Sequence, residues 1–418
     1  MLKIFTHSEK YSNYKNAFAF LKYIGPGLLI TVGFIDPGNW AANIAAGSQF
    51  GYMLLWVVTF ATLTLIILQH NAAHLGIVTG KCLSEAASEY LHPWLGRFVL
   101  STGVLATVFT ALAEILGGAI ALKMLFGLPI KIGGTLVCIA CVLALLTNSY
   151  YKLEKIIMAF VSLIGISFLL EIFMLDVDWG KSAYAWVVPQ VTSEALPLII
   201  CILGAVVMPH NLFLHSEVIQ SRQWNLQDES VIVKQLKYEL FDTIFSMLVG
   251  WAINSAMIIL AAATFFAAKI PVEELEQAYN LLIPLVGEYA GLIFALALLF
   301  AGFSSTITAG MAGGSIYAGI FKEPYDIADK HSKTGVLLTL IGGLLIIFFI
   351  SDPFQALIYS QMALSVQLPV TLALQVYLTS QEKVMGKYKN RPLTKWTMIV
   401  LGVIVSILNV LALQQIFA

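Results

Sequence analysis

The chain is dominated by long apolar runs, each separated from the next by a short polar stretch. A run of about 20 apolar residues can cross the hydrocarbon core of a bilayer as a helix, so the pattern predicts an all-α integral membrane protein. Between the second and third runs, residues 81–92 alternate polar and apolar faces and predict a helix at the membrane surface. We identify eleven predicted spans, at residues 23–50, 53–73, 97–121, 132–149, 153–175, 195–219, 239–268, 286–309, 334–351, 354–379 and 394–416.

The first and the sixth of these runs contain helix-breaking residues where a bilayer favours only hydrocarbon. The first reads Asp36-Pro37-Gly38-Asn39 and the sixth reads Met208-Pro209-His210-Asn211. Proline and glycine at this depth free backbone carbonyls that must find other partners. Two broken helices in corresponding halves of a membrane protein indicate a substrate site near the bilayer midplane. Because the breaks are five spans apart, the two helices run in opposite directions, which predicts a five-plus-five inverted repeat with an eleventh helix appended.

Composition and charge support a multi-pass membrane protein. The 418 residues are 59% hydrophobic and 11% charged, whereas soluble proteins have about 25% charged residues. With the N-terminus inside, nineteen of the 23 Lys and Arg residues fall in cytoplasmic segments. This bias follows the positive-inside rule and predicts a cytoplasmic N-terminus. Four basic residues are predicted outside: Lys123, Lys131, Lys181 and Lys269.

The same pattern predicts one transmembrane transporter domain behind a short tail. Residues 1–22 lack a signal-peptide cleavage pattern and are expected to form a cytoplasmic tail. Residues 23–418 then form the transporter, in which repeat one covers about 23–175, repeat two about 195–379 and the extra helix about 394–416. We expect the lipid bilayer as the surroundings, no nucleic-acid partner and a monomer.

The two breaks carry the ligand types of a cation site. Asp36 offers a carboxylate and Asn39 an amide oxygen, while no Lys or Arg lies nearby in the sequence. In the sixth span Met208 offers a thioether, and Ala205 exposes its carbonyl because Pro209 has no N–H to bond it. Hard oxygens suit Mg²⁺, Ca²⁺ and Mn²⁺, whereas sulfur favours softer divalent ions. The mixed set therefore predicts Mn²⁺ or Fe²⁺ as substrate and admits Cd²⁺, with Gln361 of the tenth span as an accessory ligand.

Three further polar side chains are candidates for moving a proton. Glu114 lies inside the third span, and an intramembrane carboxylate is a functional candidate by default. His210 and His215 are five residues apart, about 140° around a helix, so they are not expected to hold one ion together. A neutral imidazole can instead accept and pass a proton near physiological pH. The competing interpretation makes Glu114 a protonated structural residue and His215 a satisfied polar residue at the cytoplasmic end of its span.

Other functional classes fit the sequence less well. An amino-acid transporter needs a free helix N-terminus to bind a carboxylate, and Asp36 would repel that group. An intramembrane metallohydrolase needs an H-E-x-x-H helix, but Asn211 follows His210. No G-x-x-x-x-G-K nucleotide-binding loop is present, which argues against a primary pump. We therefore expect a transporter that is not an enzyme and needs no resident cofactor.

At these residues the sequence resembles the natural-resistance-associated macrophage protein (Nramp) family, in its bacterial manganese-importing branch. The resemblance covers nearly the whole chain and implies a LeuT-type fold in a bacterial inner (plasma) membrane. It implies metal bound by Asp36, Asn39, Met208 and the Ala205 carbonyl, with Gln361 joining in some states, and uptake usually coupled to protons. The matching segments are residues 33–39, 75–81, 208–211 running to 214–216, 304–308 and 367–369.

The chain departs from that family where protons are concerned. The resemblance implies an Asp three residues before the third-span Glu and an Arg in the ninth span. Here the first position is Ala111, and residues 334–350 carry no charge. Phe303 also stands where a polar residue commonly precedes Ser304 and Ser305. Two hypotheses remain: proton co-transport along a shorter route, or proton-uncoupled transport of the same metals.

Overall fold

The first half of the described chain is a series of helices joined by short connections. The computed structural model describes residues 36–147, 165–221, 229–270, 272–283 and 287–417, and these residues contain no β-strand. In this half the helices are α1 (Pro37–Phe50), α2 (Leu55–Thr79), α3 (Leu83–Tyr90), α4 (Pro93–Phe126), α5 (Ile130–Leu146), α6 (Gly165–Met174) and α7 (Trp179–Val187).

The second half of the described chain contains the other broken helix and the longest apolar helical unit, Glu229–Phe266. The segment Ala262–Phe266 continues α10 as a π-helix, and two 3₁₀ helices, Leu275–Leu282 and Gly287–Tyr289, precede α11. Its helices are α8 (Leu196–Val207), α9 (Pro209–Ser221), α10 (Glu229–Ala261), α11 (Ala290–Ile320), α12 (Lys330–Ile347), α13 (Pro353–Ser380), α14 (Glu382–Met385) and α15 (Pro392–Phe417).

Every predicted span overlaps a described helix. Within the described residues, eight helical units are long and apolar enough to cross a membrane, counting α8 and α9 together, while α5 and α6 are shorter apolar helices. Residues 23–35 and 148–164, which carry parts of the first, fourth and fifth predicted spans, lie outside the described residues. The tail at residues 1–22 lies outside them too. The count of eleven and the repeat boundaries therefore stay predictions.

Several helices extend beyond the predicted spans. The α10 helix begins at Glu229, ten residues before the predicted start at 239, and α11 runs to Ile320. Hydropathy marks only the part of a helix that contacts hydrocarbon, whereas backbone hydrogen bonding continues into the polar flanks. The predicted surface helix at 81–92 forms as α3, with the Glu85 side chain accepting from the Cys82 N–H at 3.1 Å. The short helix α7 was not predicted.

The sixth span is broken at Met208, as its sequence predicts. The α8 helix ends at Val207, and Met208 has a φ of 43°, in the left-handed region that side chains other than glycine rarely adopt. Pro209 then begins α9, and the Asn211 N–H bonds the Met208 carbonyl at 2.9 Å. In the first span, Asp36 caps α1 and Pro37 is its first residue. A helix therefore starts at the first predicted break.

The α1 helix lies inside the bundle. It contacts α4, α8, α10 and α13, and its residues from Pro37 to Gly47 are buried. Close approach depends on small residues, as is common between membrane helices. A Cβ on Gly117 of α4 would lie 2.1 Å from Pro37 Cγ, so only glycine fits beneath the start of α1. The break in the first span is thus held directly against α4.

Two ion pairs each join segments that are predicted to lie on the same side of the membrane, as the alternation of spans requires. Lys387 bonds Glu229 at 2.6 Å, and both belong to segments predicted to be cytoplasmic. Lys123 bonds Glu276 at 2.9 Å, and both belong to segments predicted to be outside. Each contact joins distant parts of the sequence at one end of the bundle. The alternation is therefore consistent with the structure, while the choice of which end is cytoplasmic stays a prediction.

Candidate metal site at the two helix breaks

Asp36 and Asn39 form the first part of the candidate site. Asp36 Oδ1 accepts a hydrogen bond from the Asn39 backbone N–H at 2.6 Å, and Oδ2 accepts one from Asn39 Nδ2 at 2.8 Å. This is N-cap geometry, which the carboxylate at the start of α1 adopts because the first backbone N–H groups lack helical partners. Both side chains are fully buried. The negative charge therefore lies at the helix break and is held by two donors.

The same asparagine connects the two broken helices. Asn39 Nδ2 also donates to the Ala205 carbonyl at 2.9 Å, while Asn39 Oδ1 is buried without a partner among the described residues. A helical carbonyl normally bonds the N–H four residues later, which for Ala205 is Pro209. The missing N–H leaves this carbonyl available to Asn39. That Ala205 binds a metal through this carbonyl stays a prediction.

Gln361 on α13 lies against the first break. A Cβ on Gly38 would be 2.0 Å from Gln361 Nε2 and 3.2 Å from Asp36 Oδ1. The Gln361 side-chain oxygen is buried and has no partner among the described residues, while Nε2 donates to Ser360 Oγ at 3.2 Å. The glycine at position 38 therefore makes room for the amide beside the carboxylate, in addition to breaking the helix.

Met208 lies at the second break but is held differently. Its side chain is 3% exposed, and its sulfur accepts a hydrogen bond from Asn211 Nδ2 at 3.1 Å. The described contacts thus join Asp36, Asn39, Ala205 and Gln361, whereas the sulfur of Met208 is engaged by its own helix. Sequence reasoning did not identify Asn211 as a partner, although the i, i+3 spacing across Pro209 was visible.

The candidate metal site contains a single carboxylate among neutral groups. No group of three or more His, Cys, Asp or Glu residues suited to a metal ion occurs in the described part of the chain. Those residues therefore contain no structural metal site built from several anionic side chains. One charge with amide, carbonyl and thioether groups suits a cation that must also leave, because conduction requires binding that is not too strong.

The proton candidates divide into two groups. His210 Nδ1 lies 3.1 Å from Thr110 Oγ1 on α4, one helical turn before Glu114. Glu114 is buried, one of its oxygens has no partner among the described residues, and it is close enough to Asp36 to interact electrostatically. His215 instead faces α10, where its Nε2 lies 3.6 Å from Glu239 Oε1. The two histidines therefore point to different helices, as their spacing predicts.

The departures in the third and ninth spans face each other. Ala111 on α4 is fully buried, and a Cβ on Gly343 of α12 would lie 3.0 Å from the Ala111 Cβ. The backbones of α4 and α12 therefore pack closely at Ala111, the position where the resemblance implies an Asp. Little space is left beside Ala111 for a longer side chain that points toward Gly343.

Comparison with known proteins assigns the family. The profile described as "Natural resistance-associated macrophage protein-like" matches residues 27–415. This chain belongs to the Nramp family. Among Nramp relatives, the "Divalent metal cation transporter MntH" of Caldanaerobacter subterraneus is 35% identical over 399 residues, covering 94% of this chain and 93% of the relative. The protein of that name from Nostoc sp. is 38% identical over 381 residues, covering 88% and 85%.

Solved structures agree with the Nramp assignment. The Eremococcus coleocola manganese transporter, in complex with an aromatic bis-isothiourea substituted compound, is 28% identical, with a TM-score of 0.80 over 95% of this chain and 87% of that one. A nucleobase-cation-symport-1 family transporter, Mhp1, in a closed conformation is 16% identical with a TM-score of 0.61, which shows the fold alone. The predicted LeuT-type membrane fold is confirmed, and the Nramp chain is a transport protein rather than an enzyme.

Proposed function

We propose that this Nramp protein imports divalent transition-metal ions, with Mn²⁺ as its principal substrate and Fe²⁺ and Cd²⁺ as further substrates. The observation that carries the proposal is the bridge from Asn39 Nδ2 to both the Asp36 carboxylate and the Ala205 carbonyl. These two oxygens converge on one donor from opposite broken helices. A metal ion that displaces the amide hydrogens would meet both oxygens at once.

The neighbouring groups support a transition metal over Mg²⁺ or Ca²⁺. Both alkaline-earth ions prefer sets made only of oxygen ligands, and Mg²⁺ in addition retains much of its water. Met208 adds a sulfur, which favours softer divalent ions. Gln361 adds an amide oxygen that has no partner among the described residues. The names of the relatives and of the matched structures, which are divalent metal and manganese transporters, agree with this preference.

Proton co-transport is the second part of the proposal. Its support is the series of titratable and hydroxyl groups at the breaks, in which His210 contacts Thr110 one turn from Glu114. The competing proposal, uncoupled metal transport, is supported by the close packing of Ala111 on Gly343. We favour coupling because the buried carboxylates of Asp36 and Glu114 lie within electrostatic range of each other, so protonating one relieves their repulsion when both are charged.

The setting of the transporter is proposed from the same observations. The protein is expected in a bacterial plasma membrane as a monomer. Its N-terminus and the C-terminal ends of α2, α9 and α13 are expected on the cytoplasmic side. The abundance of Lys and Arg at that end supports the orientation. Accessibility of single cysteines at Lys387 and Lys123 to an impermeant thiol reagent in intact cells tests it, because only the Lys123 position should react.

One assay tests substrate and coupling together. The purified protein is reconstituted in liposomes that contain a metal-sensitive dye and a pH-sensitive dye. Uptake of Mn²⁺ with acidification of the lumen supports co-transport, and uptake without acidification supports the uncoupled alternative. Failure to take up Mn²⁺, Fe²⁺ or Cd²⁺ under an inward gradient would contradict the proposed function.

A further inference from the structure

A second cluster of titratable residues lies on the opposite side of α9 from Thr110. Glu239 of α10 is located between two imidazoles, with His70 Nδ1 of α2 in direct contact with Oε2 and His215 Nε2 of α9 lying 3.6 Å from Oε1. Thr243 Oγ1 donates to Oε1 at 2.6 Å. The three residues are distant in sequence and come from three helices. Neither the metal site nor the contact between His210 and Thr110 uses them.

The inner end of this cluster is His215. It is fully buried, and neither of its nitrogens has a hydrogen-bond partner among the described residues. It follows Met208 by seven residues, about 10 Å along a helix axis. The Glu239 carboxylate that its Nε2 faces is itself only 6% exposed. A proton on His215 therefore has one carboxylate to move to.

The outer end of the cluster is His70. Its side chain is 30% exposed and lines a cavity of about 490 Å³ at the end of the bundle predicted to be cytoplasmic. The His74 ring is nearly parallel to that of His70 at 6.3 Å between centroids. The cavity walls include six polar or cationic residues: Asn71, Asn390, Thr394, Lys387, Lys389 and Arg391. Such walls are suited to water.

We propose that Glu239, His215 and His70 form a proton relay from the cytoplasmic half of the broken helix to this cavity. His215 transfers the proton on Nε2 to Glu239 Oε1 and becomes neutral. The protonated Glu239 carboxyl group then rotates about its Cγ–Cδ bond, donates the same proton to His70 Nδ1 and returns to a carboxylate. His70 then releases its Nε2 proton to cavity water and returns to its starting form by exchanging the proton between its two nitrogens.

The outer end of the relay is surrounded by charged groups. Lys387, Lys389 and Arg391 line the cavity beside His70, and water in that cavity is the final proton acceptor of the relay. Two of these cations are already neutralised, since Lys387 pairs with Glu229 and Lys389 pairs with Glu382, each at 2.6 Å. Within the cluster, the groups that interact electrostatically with Glu239 are His70, His215 and His74.

The relay gives this chain a proton route that needs no charged residue at position 111 or in residues 334–347 of α12. It rests on the proposed co-transport and adds the side chains that carry the proton inward. Imidazole is suited to the task because its ordinary pKa is near neutrality. A structural ion pair would use the same contacts, so the experiment must measure proton movement separately from folding and from metal uptake.

The test uses the full chain in liposomes with the two dyes and compares acidification per metal ion. Glu239→Gln and His70→Gln keep size and hydrogen bonding but cannot accept and release a proton at neutral pH. We expect acidification per Mn²⁺ to fall at least about tenfold in both variants, while Mn²⁺ uptake persists. Tenfold is a lower bound, because a positioned proton-transfer group typically contributes about 10²–10⁴-fold. Glu239→Asp is expected to restore part of the acidification.

The matched control is Glu217→Gln. Glu217 is also buried on α9, but it accepts a hydrogen bond from Ser315 Oγ at 2.8 Å and lies outside the cluster. Its acidification ratio should equal that of the wild type. A wild-type ratio in Glu239→Gln and His70→Gln would overturn the relay. Parallel loss of uptake and acidification in folded Glu239→Gln, shown by an unchanged melting temperature, would assign Glu239 to the metal route and also overturn it.

The two proposals fail in different ways. Wild-type Mn²⁺ uptake without any acidification overturns the relay but leaves metal transport standing. Absence of uptake of every metal by the wild type overturns the proposed function and the relay with it. Acidification that depends on Mn²⁺ in the wild type and is lost in both variants supports the relay.

Discussion

The Asn39 amide nitrogen lies 2.9 Å from the carbonyl oxygen of Ala205, and this contact joins the two broken helices. The same nitrogen is 2.8 Å from Asp36 Oδ2, so its two hydrogens occupy the space between two acceptors of opposite half-helices. A divalent ion can replace those hydrogens without moving either acceptor far. Rotation of the amide would then present Asn39 Oδ1, which has no other partner among the described residues, to the ion.

Loss of the carboxylate should abolish transport. Asp36→Ala removes the only charged group at the two breaks, and the remaining neutral groups cannot balance a divalent ion. We expect Mn²⁺ uptake to fall by at least about tenfold, equivalent to about 1.4 kcal/mol or more in binding. The control is Asp176→Asn, which removes an exposed loop carboxylate. Substantial flux through Asp36→Ala would place the metal site elsewhere in the chain.

Loss of the thioether should change selectivity more than rate. Met208→Ala is expected to retain part of the Mn²⁺ uptake but to lose discrimination against Ca²⁺ and Mg²⁺, because those ions gain little from sulfur. Competition between Mn²⁺ and Ca²⁺ or Mg²⁺ for uptake into liposomes measures this discrimination, which we expect to fall about tenfold. Met247→Ala, at a buried site on α10, controls for loss of a buried thioether. An unchanged ratio of Ca²⁺ to Mn²⁺ inhibition would contradict a role for the sulfur.

Packing between α8 and α13 should not tolerate a single added methyl group near the site. A Cβ on Gly204 would lie 1.8 Å from the Gln361 backbone oxygen, which cannot move without shifting α13. We expect Gly204→Ala to destabilise the protein by about 1–3 kcal/mol or more, measured as a lower melting temperature. At Gly402 the nearest atom would be 4.0 Å away, so Gly402→Ala should be neutral or stabilising. Equal melting temperatures for the two variants would refute the tight contact.

The sequence predicted the backbone features of the site better than its side-chain pairings. Pro209 follows Ala205 by four residues, so the free carbonyl was predictable from local chemistry alone. The hydrogen bond from Asn211 to Met208 is local but depends on the unusual φ of Met208, which hydropathy does not reveal. The contact between His70 and Glu239 spans 169 residues and depends on how α2 and α10 are rotated. No periodicity in a single sequence fixes that rotation.

The surface helix α3 carries a pH-sensitive contact. The Lys81 ammonium bonds the Glu89 carboxylate and holds the pKa of that carboxyl below its usual range. A depressed carboxyl pKa stabilises the fold above the unfolded value, about 4.3, and the stabilisation is lost as pH falls through the lower folded value. The Glu89 side chain is 43% exposed, so the contribution should not exceed about 1 kcal/mol.

The measurement compares the melting temperatures of wild type and Glu89→Gln at two values of pH. We expect the wild type to melt higher at pH 6 and the two proteins to coincide at pH 3. Lys81→Gln should reproduce the loss at pH 6, and the double variant should lose no more than either single change. A difference that persists unchanged at pH 3 would mean that Glu89 stabilises α3 by something other than its charge.

Restoring a carboxylate at position 111 should harm the protein rather than strengthen its coupling. Ala111→Asp places a charge where Gly343 packs against the backbone, and residues 334–347 of α12 offer no cation to pair with it. A charge at the centre of a spanning helix costs about 2.5–3.5 kcal/mol on insertion scales. We expect less folded protein and a lower melting temperature, with no increase in acidification per Mn²⁺.

Ala111→Ser is the control, because its hydroxyl can bond the preceding turn, as Thr110 bonds the Ala106 carbonyl at 3.1 Å. If Ala111→Asp instead folded normally and raised the acidification ratio, the third and ninth spans would still hold a usable proton route, and the close contact with Gly343 would not be what closed it.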